Sequence, residues 1–217
     1  LIKFTTNIET GGVIVSQTGG QVSNEWRFSK DSPILDANTI EQLRVARYNT
    51  QGGDTVVLRG RFFGFLKGQL QVLIGGSGGT RGMPTSTAEI LSFVPGAALG
   101  DISTLSVKMP AGMGWGIKVV VKRDAQYSDA AYAAYKPPKV DGLQLTSSKG
   151  PLTPFPTKGG QDVTLQGSNF GTAPLVLVGG TQATLKSQGH FVITFTVPPG
   201  VSKGLVIKVV AGNQNSI

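Results

Sequence analysis

The residue types that support catalysis are sparse in this chain. Its 217 residues include no cysteine and a single histidine, His190. A zinc site needs several nitrogen or sulfur ligands, and nucleophilic triads of the familiar kind need a histidine beside the nucleophile. We therefore predict that His190 points to solvent and that the protein is not an enzyme, with no catalytic residues, no metal site and no cofactor.

The carboxylates do not form a dense cluster either. Asp124 and Asp129 flank one loop, and Asp54 and Asp162 each lie next to, or one residue from, a pair of glycines. A calcium site takes six or more oxygen ligands, which no acidic loop of this sequence supplies. We expect Asp54 and Asp162 to accept hydrogen bonds from backbone N–H groups in turns.

Two aromatic residues could do binding chemistry. Trp115 lies in the run Gly112-Met113-Gly114-Trp115-Gly116, and Tyr127 follows one strand later. An exposed aromatic ring can stack on a sugar, so both are candidate sugar-stacking residues. For Trp115 we favour the alternative, which is that the ring caps the end of the hydrophobic core.

The charge pattern names no partner. The net charge is +8, but the basic residues are spread along the chain. A diffuse positive charge favours solubility and attraction to acidic surfaces without specifying a ligand. We predict no binding to nucleic acid, and no direct insertion into a membrane, because no apolar run is long enough to span a bilayer.

A repeated segment organises the whole chain. Residues 52–64 and 159–171 share paired glycines, an alternating apolar run, a later glycine and a phenylalanine, and the offset of 107 residues is constant. Repeats of this kind indicate tandem domains. The alternation of Val56 with Leu58, and of Val163 with Leu165, predicts a half-buried strand in each copy. We expect Gly60 and Gly167 to end or bulge these strands, and Phe63 and Phe170 to fill the core.

Further segments repeat in the same order. Residues 72–76 correspond to 176–180, residues 109–112 to 197–200, and residues 116–120 to 204–208. This pattern resembles the IPT/TIG domain, most strongly over residues 137–217. The resemblance implies an all-β fold of tandem immunoglobulin-like (IPT/TIG, E-set) sandwiches, of the kind found in plexins and fibrocystin-type surface proteins.

We predict one sandwich over residues 33–136 and a second over residues 137–217, the second without its last strand. Residues 39–48 fit neither a helix nor a strand period, whereas residues 127–135 are predicted to form the closing strand of the first sandwich.

Residues 1–32 read as the closing strands of a preceding or neighbouring repeat. The runs 12–15 and 22–28 predict two strands, and the glycine pair at 19 and 20 predicts the turn between them. A sandwich without its last strand has an unpaired edge that can accept a strand from another chain. The candidate strand-exchange residues are Val13, Ile14, Val15, Val22, Trp26 and Phe28.

The favoured function is that of a structural or adhesive repeat segment of an extracellular or cell-surface protein, with other proteins or copies of itself as partners. Strand exchange from head to tail would assemble a fibre. Alternatively, the missing strands belong to the same polypeptide, which the mass of the intact protein would reveal. Two other classes are a carbohydrate-binding accessory module that takes glycans and, less favoured, a DNA-binding domain of the Rel type.

Overall fold

The computed structural model describes residues 31–76, 84, 86–98, 100–145, 155–201 and 204–217. Before residue 31 it describes only the backbone of four short strands. Within these ranges, the buried side chains form two separate clusters, one from Leu35 to Tyr135 and one from Val163 to Val209. We call the two parts the first sandwich (33–136) and the second sandwich (137–217).

The four N-terminal strands form two nested antiparallel hairpins. They are β1 Gly12–Ile14, β2 Gln17–Thr18, β3 Gln21–Val22 and β4 Trp26–Phe28. The inner hairpin joins β2 to β3, and the outer one joins β1 to β4. The strand predicted over residues 22–28 coincides with β3 at Val22 and with β4 at Trp26–Phe28, and residues 23–25 lie outside the described residues. Val15 lies outside the described residues, as do the side chains of the other five strand-exchange candidates.

The first sandwich holds one helix and eight strands among its described residues. They are β5 Ile34–Leu35, α1 Ala37–Val45, β6 Thr55–Arg61, β7 Leu70–Gly75, β8 Ser86–Val94, β9 Ser103–Lys108, β10 Trp115–Arg123, β11 Gln126–Tyr127 and β12 Ala131–Ala134, with a 3₁₀ turn at Lys67–Gln69. The strands pair in the order β11-β10-β7-β8-β9-β6-β5, and β12 also pairs with β10. The closing strand predicted over residues 127–135 is thus split into β11 and β12.

Strand β8 lets one continuous ladder fold into two facing layers. Its first part, through Ala88, pairs with β7, and its second part, from Glu89, pairs with β9. In β6, Val56 and Leu58 are buried while Thr55 and Arg59 are exposed. The predicted alternation is therefore confirmed, since side chains two apart share one face of a strand.

Helix α1 resolves the ambiguous segment 39–48. Asp36 begins the helix, because its Oδ1 accepts a hydrogen bond from the backbone N–H of Thr39 at 2.7 Å, as an N-cap carboxylate does. Only Thr39 and Leu43 are buried, and Leu43 belongs to the core. Because so few of its side chains are buried, the helix does not show the 3.6-residue spacing of apolar residues that would predict it from the sequence.

The second sandwich consists of two four-stranded sheets among the described residues. Its strands are β13 Lys139–Leu145, β14 Asp162–Ser168, β15 Leu175–Val178, β16 Thr181–Gln182, β17 Thr184–Gln188, β18 Val192–Thr196, β19 Ile207–Ala211 and β20 Gln214–Asn215. One sheet has the order β13-β14-β18-β17 and the other β16-β15-β19-β20. Val163 and Leu165 are fully buried between them, as the repeat predicts.

The glycines inside the repeated strands have a different role from the one expected. Gly60 and Gly167 lie within β6 and β14 and do not end them, although the pairing of β13 with β14 shifts by one residue opposite Gly167. A Cβ at Gly60 would lie 2.5 Å from the ring of Phe63, and one at Gly167 would lie 2.5 Å from the ring of Phe170. Both rings are fully buried. A Cβ would also meet a carbonyl oxygen of the neighbouring strand, that of Ile34 at 2.1 Å or that of Lys139 at 2.0 Å. Glycine is therefore needed because the adjacent backbone and the following phenylalanine both pack against the position.

Candidate functional site

The two sandwiches meet through a loop of the first and a turn of the second, which we call the joint. A Cβ at Gly114 would lie 2.2 Å from the carbonyl oxygen of Gly212, so the two backbones touch. The backbone N–H of Trp115 donates to Oδ1 of Asn213 at 3.2 Å, and Gln214 Nε2 donates to the carbonyl of Tyr135 at 3.2 Å. Only a residue without a side chain permits such close approach.

His190 also belongs to the joint. Its Nδ1 lies 3.0 Å from Oγ1 of Thr50, a residue of the first sandwich that is only 1% exposed. The prediction that His190 points to solvent is therefore wrong. The partner is 140 residues away in sequence, and no local pattern signals such a contact.

An open groove lies beside the joint and has a volume of about 600 Å³. We call it the aromatic groove, because Trp115 and Tyr132 are 54% and 49% exposed there. Its lining residues are Arg44, Arg47, Trp115, Gly116, Tyr132, Ala133, Ala134 and Gln214. The groove thus combines residues of α1, β10 and β12 with one residue of the second sandwich.

Trp115 does not cap the core, contrary to the favoured expectation. The pairing of β10 with β12 shifts between Trp115 and Ile117, and the intervening Gly116 has a φ of +69°. Such a bulge re-aims the side chains on one side of it. Without it, Trp115 would share the face of Ile117, which is 3% exposed and in the core.

The second predicted sugar-stacking residue lies elsewhere. Tyr127 pairs with Lys122 near the opposite end of β10, whereas Trp115 pairs with Ala134. Its ring lies 5.7 Å from Lys122 Nζ, in cation–π range. The structure therefore does not bring Trp115 and Tyr127 together. The residue that the sequence analysis missed is Tyr132. Its position between the small apolar residues Ala131 and Ala133 on a predicted strand would have placed its ring on the face opposite theirs.

Two guanidinium groups border the groove. Arg44 Nη2 lies 2.6 Å from Glu41 Oε1 in an exposed ion pair. This hydrogen bond lowers the pKa of the Glu41 carboxyl and raises that of Arg44. Arg47 Nη1 donates to the carbonyls of Arg44, Val45 and Ala46 at the end of α1. Both cations are thereby positioned rather than left to sample many rotamers.

Asp54 and Asp162 both accept hydrogen bonds from neighbouring residues of their own sandwich. Asp54 accepts from the backbone N–H and the side-chain amide of Asn49 at 2.6 and 2.8 Å, which confirms its predicted role in a turn. Asp162 instead accepts from Thr196 Oγ1 at 2.6 Å, so the backbone contact expected there is wrong. Among the described residues no group of three or more potential metal ligands is close enough to hold an ion.

The edge of β19 is a second candidate site. Strand β10 pairs with β11 and β12 on one side, whereas β19 pairs there only with β20 in the part of the chain that the structure describes. The positions equivalent to Ile117 and Lys118 are Leu205 and Val206 by the repeat, and these are 42% and 72% exposed. Leu205 and Val206 are thus exposed at positions whose counterparts pair with β12 in the first sandwich.

The two hairpins that end β10 and β19 have the same hydrogen bonds. In one, Ser128 N donates to the Val121 carbonyl at 2.9 Å and Ser128 Oγ accepts from Val121 N at 3.0 Å. In the other, Ser216 and Val209 make both bonds, at 2.7 and 3.2 Å. The two hairpins are therefore structurally equivalent.

The N-terminal hairpins follow the same register. Ile14 pairs with Trp26 and Gln17 with Val22, exactly as Val119 pairs with Ala131 and Lys122 with Tyr127, at a constant offset of 105 residues. Strands β1 to β4 therefore have the same pairing as the closing strands of the first sandwich.

No helix among the described residues has the length and apolar character needed to cross a membrane.

Comparison with protein families supports the fold. Residues 146–217, about a third of the chain, match the model of the IPT/TIG domain. The predicted resemblance is confirmed for this part of the chain, and the immunoglobulin-like β-sandwich fold is confirmed with it. A search of the curated proteins found no match.

Solved structures with a similar arrangement are distant. The surface glycan-binding protein PbSGBP-B from Prevotella bryantii is 17% identical over 75% of this chain and 35% of its own, with a TM-score of 0.42. The plexin A4 extracellular region is 14% identical over 86% of this chain and 18% of its own, with a TM-score of 0.35. The I9–I11 tandem of titin is 10% identical over 95% and 71%, with a TM-score of 0.30. The chain thus spans about a third or less of the first two proteins.

Proposed function

We propose that this chain is a segment of serial immunoglobulin-like modules in an extracellular or cell-surface protein, and that it works through contact and spacing. The observation that carries this proposal is the closing hairpin, whose register occurs at residues 12–28 and again at 117–133. The IPT/TIG match in the second sandwich and the close backbone contacts of the joint support the same interpretation.

The finer proposal is strand complementation between copies. Residues 11–30 of one chain would supply the closing strand to the second sandwich of the next, with β4 pairing along residues 205–207. The exposed Leu205 and Val206 would then be covered as Ile117 is covered by β12. Because donor and acceptor lie on different faces, the contact is heterologous and produces a fibre unless the rotation closes.

Light scattering after size-exclusion chromatography tests this assembly. The full chain is expected to form oligomers whose mass grows with concentration, whereas a variant without residues 1–30 is expected to remain monomeric. A full chain that stays monomeric up to high micromolar concentration would refute complementation. An intact natural protein with a mass well above that of these residues would remove the need for strand exchange and leave only the serial arrangement.

A second candidate function is glycan binding, which makes the protein a carbohydrate-binding accessory module. The observation that favours it is the aromatic groove, where two half-exposed rings lie beside one another. A titration of the protein with glycan fragments tests it, and the structure allows the class of glycan to be specified.

A further inference from the structure

We propose that the aromatic groove binds an acidic saccharide, with sugar rings stacked on Trp115 and Tyr132 and the sugar carboxylates held by Arg44 and Arg47. This inference rests on the glycan-binding candidate and is independent of strand complementation.

The two rings are placed for a chain of sugars. Trp115 pairs with Ala134, which lies two residues after Tyr132 on β12. This spacing corresponds to about 7 Å along the strand. The bulge at Gly116 turns Trp115 toward the face that Tyr132 occupies. Neighbouring units of one saccharide can therefore reach both rings. Large half-exposed rings on a positioned strand offer apolar faces and polar edges that suit the two sides of a sugar.

The charge of the groove specifies the class of sugar. Among the described residues that line it are two guanidinium groups and no carboxylate. The planar guanidinium matches a carboxylate with two parallel hydrogen bonds. Arg47 is already oriented by carbonyls at the end of α1. A uronate carboxylate would offer Arg47 a charged partner and would compete with Glu41 for Arg44, whereas a neutral sugar would do neither.

Gln214 makes the groove a feature of both sandwiches. It lines the groove and donates to the carbonyl of Tyr135 across the joint. A ligand that contacts both Gln214 and Trp115 therefore contacts both sandwiches.

Isothermal titration calorimetry with tetragalacturonate tests the proposal, and the carboxyl-reduced tetrasaccharide is the matched neutral probe. The full chain should bind the acidic probe at least roughly tenfold more tightly than the neutral one, because a tenfold change needs only about 1.4 kcal/mol. W115A and Y132A should each weaken binding by roughly tenfold. Y127A is the matched control, since Tyr127 is 43% exposed but lies outside the groove, and should bind like the wild type.

A variant that gains affinity sharpens the test. E41Q removes the negative charge that pairs with Arg44 and should tighten binding of tetragalacturonate about twofold, whereas R44Q and R47Q should weaken it. Equal affinity for the two probes, absence of binding, or binding that survives W115A would each overturn the proposal. Preferential binding of a single-stranded oligonucleotide through the same residues would overturn it in favour of nucleic acid. None of these outcomes changes the mass measured by light scattering, so the two proposals fail separately.

Discussion

At the start of each repeated strand, the two glycines of a pair are not equivalent. A Cβ at Gly52 or Gly159 would lie within 2.7 Å of backbone atoms, whereas one at Gly53 or Gly160 would meet nothing within 4 Å. All four have positive φ. The first glycine of each pair is therefore required by space and by conformation, and the second by conformation alone.

This difference predicts graded effects in the second sandwich. G160A should lower the free energy of unfolding by roughly 1–2 kcal/mol, the cost of a left-handed conformation for alanine. G159A should cost about 1–3 kcal/mol more, because its Cβ would collide with the carbonyl of Val197 at 2.5 Å. Urea unfolding measures both. Equal losses in the two variants would show that the backbone shifts freely here.

Tyr135 gives the first sandwich a dependence on alkaline pH. Its hydroxyl donates to the carbonyl of Pro110 at 2.8 Å, and the residue is 2% exposed. Burial, with a smaller contribution from the charge of Asp54, raises the pKa of Tyr135 to about 12. The phenol is neutral below its pKa, and the unfolded chain ionises near pH 10. The stability from this group is therefore complete below pH 10 and is lost as pH rises toward 12.

Y135F should remove this dependence. We expect the wild type to lose about 2 kcal/mol more than Y135F between pH 9 and pH 12, measured by urea unfolding at each pH. Y127F is the control, because Tyr127 is exposed, and should retain the wild-type slope. The same slope in Y135F and in the wild type would contradict the assignment.

At the scale of elements, the sequence predicts best where a strand is half-buried on one face. Buried side chains at Val56, Leu58, Val163 and Leu165 alternate with exposed or half-buried ones. This period of two can be seen in the sequence without any tertiary information. Helix α1 buries only Thr39 and Leu43, so its position depends on the N-cap and on contacts with the core more than on a periodic face.

The candidate site is the part of the structure that the sequence predicts least well. Trp115 was expected to cap the end of the core, but the extra residue at Gly116 turns its side chain to the face opposite Ile117. The groove also needs the end of α1 and a glutamine of the second sandwich. These residues come from segments that are far apart in sequence, so no local spacing could have grouped them.

The proposed strand complementation predicts the effect of a charge at Leu205 on assembly. L205D should reduce association between chains at least roughly tenfold, because a carboxylate is costly to bury against an incoming strand. V201D is the control, since Val201 is 91% exposed and precedes residues 204–208, the segment that corresponds to the paired residues 116–120 of the first sandwich. Analytical ultracentrifugation measures the association, and circular dichroism checks that both variants fold. Unchanged association in L205D would mean that the edge is not the acceptor.

At the scale of the whole molecule, Gly114 determines how closely the sandwiches approach. G114A would place a Cβ 2.2 Å from the Gly212 carbonyl, whereas G204A introduces a side chain at a similar positive φ with nothing within 4 Å. We expect G114A to separate the sandwiches, increase the radius of gyration and cost about 1–3 kcal/mol more than G204A. Small-angle scattering and calorimetry measure these effects. An unchanged radius of gyration in G114A would show that the approach at Gly114 does not hold the joint.

In each sandwich, a side chain of the last described hairpin or of the strand leading into it donates a hydrogen bond to the backbone that precedes the first strand of that sandwich. Arg123, 4% exposed, donates to the carbonyl of Asp31 at 2.7 Å, and Gln214 donates to the carbonyl of Tyr135. Asp31 and Tyr135 each precede a proline by two residues. A tensile load on the polypeptide would therefore act on these two hydrogen bonds before it acts on either core. A string of such units would lengthen in steps, yielding first at its connections while each core stays folded.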